Sequence, residues 1–419
     1  MIRVDSEIGR LRRVLVHRPG FEIDWMVPRM MEELLFDDIL YGQAARREHG
    51  RFRRVLESAG VEVLEVEDLL AEVLEIEAVR AEIVAEVVAV LEPGVDVGRL
   101  ETLSSRELAG VLVRGIRRDE VEPGGRIFEL DPVPNYFFQR DPQMVIGDRV
   151  VIASMATRAR FREPRLARLV FAHHPDLTGA AALYEINPGG ADLSAAGPGL
   201  EGGDVLVASE DTLLVGISHR TNRRGVEILA DYLRREETPF RHLVLVDLPS
   251  LRSYMHLDTV FTLVDVQAAL AFLPLIDPSS PEAAGAYYVD LRADDLRFAL
   301  RRNLVEALER LGWSIELIPC GGAADLLDQE REQWTDGANS FAVAPGVVLL
   351  YERNRRTIDE LDSRGWRVIT EGDVLDGTDV LGHGRTVITV PGHELSRARG
   401  GPHCMTMPLE REPVGESRG

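Results

Sequence analysis

Apolar positions along this chain fall into two rhythms. Short runs rich in β-branched residues, such as LRRVLVHRP from Leu11 and VEVLEVED from Val61, read as strands. Between them, AARREHGRFRRVLESAG places Phe52, Val55 and Leu56 on one helical face, and Gly60 stands where a helix would stop. The opening of the chain therefore predicts strand, helix, strand.

From Leu69 to Val121 the rhythm changes. LLAEVLEIEAVRAEIVAEVVAVL and SSRELAGVLVRGIRR are rich in Ala, Glu, Leu and Arg, a composition that favours helix over strand. Residues 69–121 are expected to form a helical domain inserted into an α/β unit made of residues 1–68 and 122–419.

A weak repeat runs through the rest. FQRDPQMVIGDRVVIASM, LEGGDVLVASEDTLLVGIS and TDGANSFAVAPGVVLLYERN each contain a polar or acidic segment, a strand, a tight turn and a second apolar strand. MHLDTVFTLVD looks like a truncated relative, and the helical stretches RRGVEILADYLRR and RFALRRNLVEALERLGW separate the units. Modules that each open on an acid suit an arrangement about a common centre, with the acids turned inward. The pattern is propeller-like and does not read as a doubly wound sheet.

Composition narrows the function. With 419 residues, 45% of them hydrophobic, the chain can bury a large core. A net charge of −22 repels phosphate backbones and anionic lipid, so neither nucleic acid nor membrane is expected as partner, and a cationic substrate is favoured. No apolar run approaches the ~20 residues that span a bilayer, and MIRVDSEIGRLRRVLVHRPG lacks the apolar stretch of a secretory signal. A cytoplasmic protein is expected. Two cysteines, Cys320 and Cys404, cannot build a disulfide framework, and a reducing compartment keeps thiols available for chemistry.

Candidate chemistry gathers where the repeats open. Asp141 in FQRD, Glu201 in EGGD, and His256 and Asp258 in MHLD join Cys404 in GGPHC. Singly, each has a structural explanation: an ion pair with Arg140, a turn cap, a hydrogen-bonded core histidine. Together, three carboxylates at equivalent positions are costly to bury unless something cationic neutralises them. A cysteine hydrolase uses such a set. Its thiolate attacks an electrophilic carbon, a histidine passes protons to the leaving group and then activates water, and carboxylates hold the substrate and the histidine. If the carbon belongs to a guanidinium, two carboxylates gripping its N–H groups both hold it and localise its charge. The same acids disfavour a free thiolate, so Cys404 would be activated mainly when the cation arrives. The competing chemistry is metal: His256 and Asp258 spell half of a facial two-histidine, one-carboxylate site that His219, His393 or His403 would complete. No C-x-x-C or H-x-x-x-H pair supports it, and no metal or other cofactor is expected.

Read together, SEIGRLRRVLVHRPG, LLFDDILYG, VPNYFFQRDP, EGGDVLVASEDTLLVGISHRT, MHLDTVFTLVD, QWTDGANSFAVAPGVVLLYERN and ELSRARGGPHCMTMPL resemble the arginine deiminase family in order along nearly the whole chain. That family belongs to the guanidino-group-modifying superfamily. The resemblance implies a five-bladed α/β-propeller, the pentein fold, with residues 69–121 as the extra helical domain. It implies hydrolysis of L-arginine to L-citrulline and ammonia through a covalent adduct on Cys404, as in the arginine deiminase pathway. His256 would be the general acid and base, Glu201 its orienting partner, and Asp141 and Asp258 the clasp on the guanidinium. Arg220 and Arg399 match the carboxylate-binding arginines, Asn135 and Phe138 match lining positions, and Arg160 matches a further substrate contact for which Arg158 and Arg162 compete. Asp37 and Asp38 match an acidic pair near the mouth of the site. A homo-oligomer is also implied.

Some wording departs from the family's: FQRDP stands for FTRDP, QWTDGAN for QWNDGAN, and His403 precedes the cysteine where arginine is frequent. His403 can change the loop's charge with pH. Cys320 reads as a buried thiol. The alternatives are agmatine deimination, methylarginine hydrolysis or amidino transfer on the same fold, and a catalytically silent arginine-binding protein. Retention of Arg220 and Arg399 favours arginine over agmatine, which has no carboxylate.

Overall fold

The computed structural model describes residues 1–87, 95–122, 124–190, 194 and 197–414. β1 (Leu11–Val16) and β2 (Glu62–Glu65) pair in parallel across the helix Gly42–Ser58. Parallel neighbours need such a crossover. The helix buries Phe52, Val55 and Leu56, and Gly60 beyond its end takes φ of +80°, as the apolar spacing and stop signal required.

The helices Val66–Val73, Glu77–Glu86, Val97–Glu101 and Ser105–Arg114 fill most of the helical stretch, of which residues 88–94 lie outside the described ones. A capping box between Ser104 and Glu107 starts the last of them. Their apolar faces are not self-contained. Leu70, Ile83, Leu108 and Leu112 share one buried cluster with Val145, Val150 and Leu166. The short pair β3 (Ile116–Arg117) and β4 (Phe128–Leu130) leads back to the main body.

One plan then recurs. β5 (Gln143–Ile146) and β6 (Arg149–Ile152) form a hairpin, and β7 (Ala182–Glu185) returns parallel to β6 after the helix Arg162–His173. β8 (Val205–Ser209) and β9 (Thr212–Ile217) repeat the hairpin, with β10 (His242–Asp247) parallel to β9 across the helix Arg223–Arg235. β11 (Phe261–Asp265) and β12 (Ala268–Ala271) follow; β13 (Ala286–Asp290) and β14 (Ala299–Arg301) extend the sheet of β10, and β15 (Glu316–Pro319) lies parallel to β12. β16 (Phe341–Ala344) and β17 (Val347–Tyr351) form another hairpin, after which β18 (Arg367–Thr370) and β19 (Thr386–Val390) add parallel strands in the order β16, β17, β19, β18. Finally β20 (Met407–Arg411) runs antiparallel to β1, so the two ends of the chain complete a unit of the same kind.

Five of the six sheets thus contain an antiparallel pair followed by a parallel third strand, and none closes on itself among the described residues. Two expectations need correction. MHLDTVFTLVD opens a full hairpin whose second strand is AALA, and alanine's weak preference for strands concealed it. RFALRRNLVEALERLGW is not one helix: Ala299–Arg301 is strand and only Leu304–Arg310 is helical, started by the Asn303 cap.

The shared cluster predicts that the helical stretch and the β5–β6–β7 sheet lose stability together. Leu70→Ala, at a fully buried position, should cost about 2–5 kcal/mol. This is read as a lower urea midpoint in circular dichroism, and an unshifted midpoint would show that Leu70 is not part of a common core.

Candidate active site

Directly before the first strand of each unit lies a tight polar turn, and these turns carry the chemistry. Asp141 stands before β5, Glu201 before the turn Gly202–Asp204 and β8, His256 and Asp258 before β11, Asn339 before β16, and Cys404 before β20. The turns are cross-linked by backbone. Arg140 N–H donates to the Cys404 carbonyl at 3.0 Å, and Gly202 N–H donates to the Asp141 carbonyl at 3.0 Å. Asp204 is buried and accepts Leu257 N–H at 2.8 Å, tying the EGGD turn to the MHLD turn.

Close packing at this junction explains its glycines. A Cβ on Gly203 would lie 2.5 Å from Nδ1 of His256, and one on Gly400 would lie 2.2 Å from the ring of Phe138. Only glycine lets both backbones approach these rings so closely.

Two ionic groups result. In the first, His256 Nε2 lies 2.9 Å from Glu201 Oε2 and Nδ1 lies 3.7 Å from Asp141 Oδ1. Arg160 donates through Nη1 to Asp141 Oδ2 at 2.8 Å and stands 3.5 Å from Glu201 Oε2, while Glu163 holds its other face at 2.7 and 2.9 Å. In the second, the Cys404 thiol donates to Asp258 Oδ2 at 3.6 Å, and His403 Nδ1 meets the same oxygen at 2.8 Å. Asn339 pins the cysteine loop. Its Oδ1 accepts Gly401 N–H and Cys404 N–H, both at 3.1 Å, and its Nδ2 donates to the Asp258 carbonyl at 3.1 Å.

Burial sets the electrostatics. It opposes charge on His256, but Asp141, Glu201 and Asp204 outweigh it and raise the imidazole to about 9. Glu201 resists the same burial because Arg220, His256 and Arg160 hold its carboxyl well below the usual range. Burial, then Asp258, Asp141 and Asp336, push the Cys404 thiol well above its ordinary value. Burial also pushes Asp336 up to about 7 against the pull of Arg399.

Cys404, His256, Glu201, Asp141, Asp258, Arg160 and Arg220 are all buried and linked through these contacts. Arg220 stands 3.6 Å from Glu201 Oε1. Arg399, left-handed at φ of +66°, stacks 3.4 Å over Trp334 and donates to the Ser253 carbonyl at 3.3 Å. Phe138 packs on the Gly400 backbone, whereas the amide of Asn135 donates to the Leu34 carbonyl. Of the competing arginines, Arg160 meets the acids and Arg162 donates to the carbonyls of Leu112 and Asp131. Asp37 and Asp38 pair with Arg252 and Arg397.

Among the described residues the facial metal trio is not assembled, whether His219, His393 or His403 is taken as its third member. His393 lies at the surface beside Glu352, and His403 faces Asp258 and Glu7. The group that does converge is Asp141, Glu201 and His256, within 4.8 Å of one another. The Arg160 guanidinium already lies against its two carboxylates. Cys320 is buried, and burial pushes its thiol out of reach of ionisation.

Sequence reasoning missed Glu7, Asp204, Asp336 and Asn339. Three of them sit in or beside segments already marked as repeat openings, EGGD and TDGAN. Glu7 precedes any strand, and nothing in its spacing set it apart.

Fold and site together define a mixed α/β protein with a buried cluster of cysteine, imidazole and carboxylates. A sequence profile described as arginine deiminase matches residues 32–411. The chain is 36% identical to arginine deiminases of Bacillus cereus (strain B4264) and Staphylococcus aureus (strain JH9), over 99% of it and 99% of each of them. It belongs to the arginine deiminase family. Solved structures share the fold at low identity. SxtG, an amidinotransferase from Microseira wollei, superposes with a TM-score of 0.52 at 15% identity, covering 99% of this chain and 98% of that one. DDAH from Pseudomonas aeruginosa, complexed with citrulline, gives 0.51 at 14% over 95% and 99%.

Two measurements follow. The folded His256 titrates at about 9 against an ordinary 6.5, so its contribution to stability is complete below pH 6.5 and is lost as pH rises through 9. His256→Gln should flatten the fall in urea midpoint across that window; an unchanged slope contradicts the assignment. For Cys404, the raised thiol predicts alkylation by iodoacetamide at neutral pH slower than that of free cysteine. Mass spectrometry reads this directly, and a rate equal to or above that of free cysteine would refute it.

Proposed function

We propose that this protein hydrolyses L-arginine to L-citrulline and ammonia at the Cys404 centre. The supporting observation is complementary incompleteness. Asp141 Oδ1 and Asp258 Oδ1 are buried acceptors without a hydrogen-bond partner among the described residues, while Nε and Nη1 of Arg220 and of Arg399 are buried donors in the same condition. Orphaned buried groups of both kinds are expensive. A molecule with a guanidinium at one end and a carboxylate at the other satisfies all of them. Arginine is such a molecule.

In this reading Asp141 and Asp258 clasp the guanidinium, and Arg220 and Arg399 take the α-carboxylate, with Asn135, Phe138 and Arg160 lining or bracing the pocket. The incoming cation offsets the acids that hold the thiol protonated, so Cys404 gives up its proton to solvent as substrate binds, the proton that the released ammonia takes up as ammonium. Its Sγ bonds to the guanidino carbon. The carbon–nitrogen bond to a terminal amino group then breaks, and His256, charged beforehand, supplies the proton with which ammonia leaves. Water, deprotonated by the now neutral His256, attacks the same carbon. The carbon–sulfur bond breaks as the adduct's hydroxyl proton passes to sulfur, which releases the ureido group of citrulline and leaves the Cys404 thiol and protonated His256 as they began. Glu201 keeps the imidazole oriented and charged throughout. No step requires a metal or cofactor.

The reading extends to architecture and setting. The five repeated sheets are proposed to be the blades of a pentein propeller formed by residues 1–68 and 122–419, with 69–121 as the helical insertion. The enzyme is proposed to work in the cytoplasm as a homo-oligomer, which light scattering after size exclusion reads.

Purified protein should release citrulline from L-arginine, and Cys404→Ala should release none; equal release from both would end the assignment. Arg220→Ala removes a charged contact to the carboxylate worth about 1.5–3 kcal/mol. KM for arginine should therefore rise by roughly ten- to a hundredfold, while kcat/KM for agmatine, which lacks that group, should not change. A parallel loss with agmatine would show that Arg220 does not read the carboxylate.

A further inference from the structure

Glu7 is buried in the segment before β1, on the far side of His403 from the reacting sulfur. Its backbone and side chain are both tied to β8: Glu7 N–H donates to the Val207 carbonyl at 2.7 Å, and Oε1 accepts Val207 N–H at 3.1 Å. The other oxygen, Oε2, lies 3.1 Å from His403 Nε2 and 3.5 Å from Arg140 Nη1. Burial opposes charge on Glu7, but Arg140, His403 and Arg411 outweigh it and hold its carboxyl at about 2. Glu7 is therefore a fixed, ionised anchor.

From that anchor a line of contacts reaches the sulfur. His403 is held between two carboxylates, with Nε2 3.1 Å from Glu7 Oε2 and Nδ1 2.8 Å from Asp258 Oδ2. The ring's plane and position are thereby fixed, and the edge of Phe341 packs 6.3 Å from it. Because His403 occupies Oδ2, the carboxylate of Asp258 is held in one rotation, with Oδ1 left without a partner and Cys404 Sγ at 3.6 Å. Freed from His403, Asp258 could turn about its terminal torsion, a soft and broad rotation.

We propose that Glu7 is a positioning residue of the active site, which through His403 fixes the rotation of Asp258 and so the alignment of the guanidino carbon with Cys404. The proposal rests on the reading of Asp258 as a clasp on the guanidinium, and it adds a residue far along the chain from every motif that carries the chemistry. Glu7 touches no reacting atom. Its loss should therefore lower kcat through misalignment while leaving the carboxylate end of the substrate, and hence KM, largely alone.

The test is a double-mutant cycle on the full chain at one fixed pH. Glu7→Gln keeps the size of the side chain and removes its charge, and Glu7→Asp keeps the charge beside Arg140 and Arg411 while withdrawing the carboxylate from His403. Each variant is expected to lower kcat roughly ten- to a hundredfold, the range for partners that orient a functional group from behind, with KM changed less than about threefold. In the background of His403→Gln, neither should cost anything further, because the link is already cut. Losses that multiply in that background would overturn the proposal, as would full kcat in a folded Glu7→Asp. Failure of both Glu7 variants to fold would also overturn it, by making Glu7 a stability residue. The alkylation rate of Cys404 is measured on the same six proteins, the wild type, the three single variants and the two doubles. It reports the Asp258–Cys404 geometry without any substrate, so if wild-type protein releases no citrulline, the proposed function fails while the cycle still decides the role of Glu7.

Discussion

The structure turns on the cost of keeping several carboxylates dry around one sulfur. Asp141, Glu201, Asp204, Asp258 and Asp336 are all buried, and such a group is stable only if cations and N–H donors are delivered to it from outside its own segments. Arg160 and His256 do this for Asp141 and Glu201, and His403 does it for Asp258. The compensation is incomplete at Asp141 Oδ1 and Asp258 Oδ1, which have no hydrogen-bond partner among the described residues. Burial and the surrounding acids push the Cys404 thiol well above its ordinary value.

The fold supplies the geometry by repetition. Each unit turns sharply before its first strand, and the backbone bonds between these turns bring residues hundreds of positions apart into contact. The last unit is built from both ends of the chain, since β20 pairs with β1. This is why Glu7, near the N-terminus, lies behind a cysteine loop near the C-terminus. It also explains the demand on Asn339, whose single amide bonds two N–H groups of that loop and the carbonyl of Asp258. One side chain thereby sets both Cys404 and its neighbour Asp258.

The positions of glycine follow from the same crowding. Gly203 and Gly400 are needed because an imidazole and an aromatic ring already fill the space that a side chain would take. Pinning the imidazole against the EGGD backbone sets Nε2 toward Glu201 and Nδ1 toward Asp141.

What the sequence determined by itself was local. The alternation of β-branched runs and helical faces foretold β1, β2 and the helix between them, and the recurring acid-opened hairpins foretold the polar turns that pack against one another. Residue type then limited that chemistry to a cysteine, an imidazole and acids suited to a cation. The sequence missed the hairpin at AALA and the strand within RFALRR, because alanine and arginine carry weak strand preferences that pairing in a sheet overrides. Only the tertiary structure set Arg160 against the acids and Arg162 against backbone carbonyls, turned His393 to the surface, and brought Glu7 to His403. Those outcomes depend on which turn packs against which, an arrangement set by long-range strand pairing and shared burial that no spacing along the chain encodes.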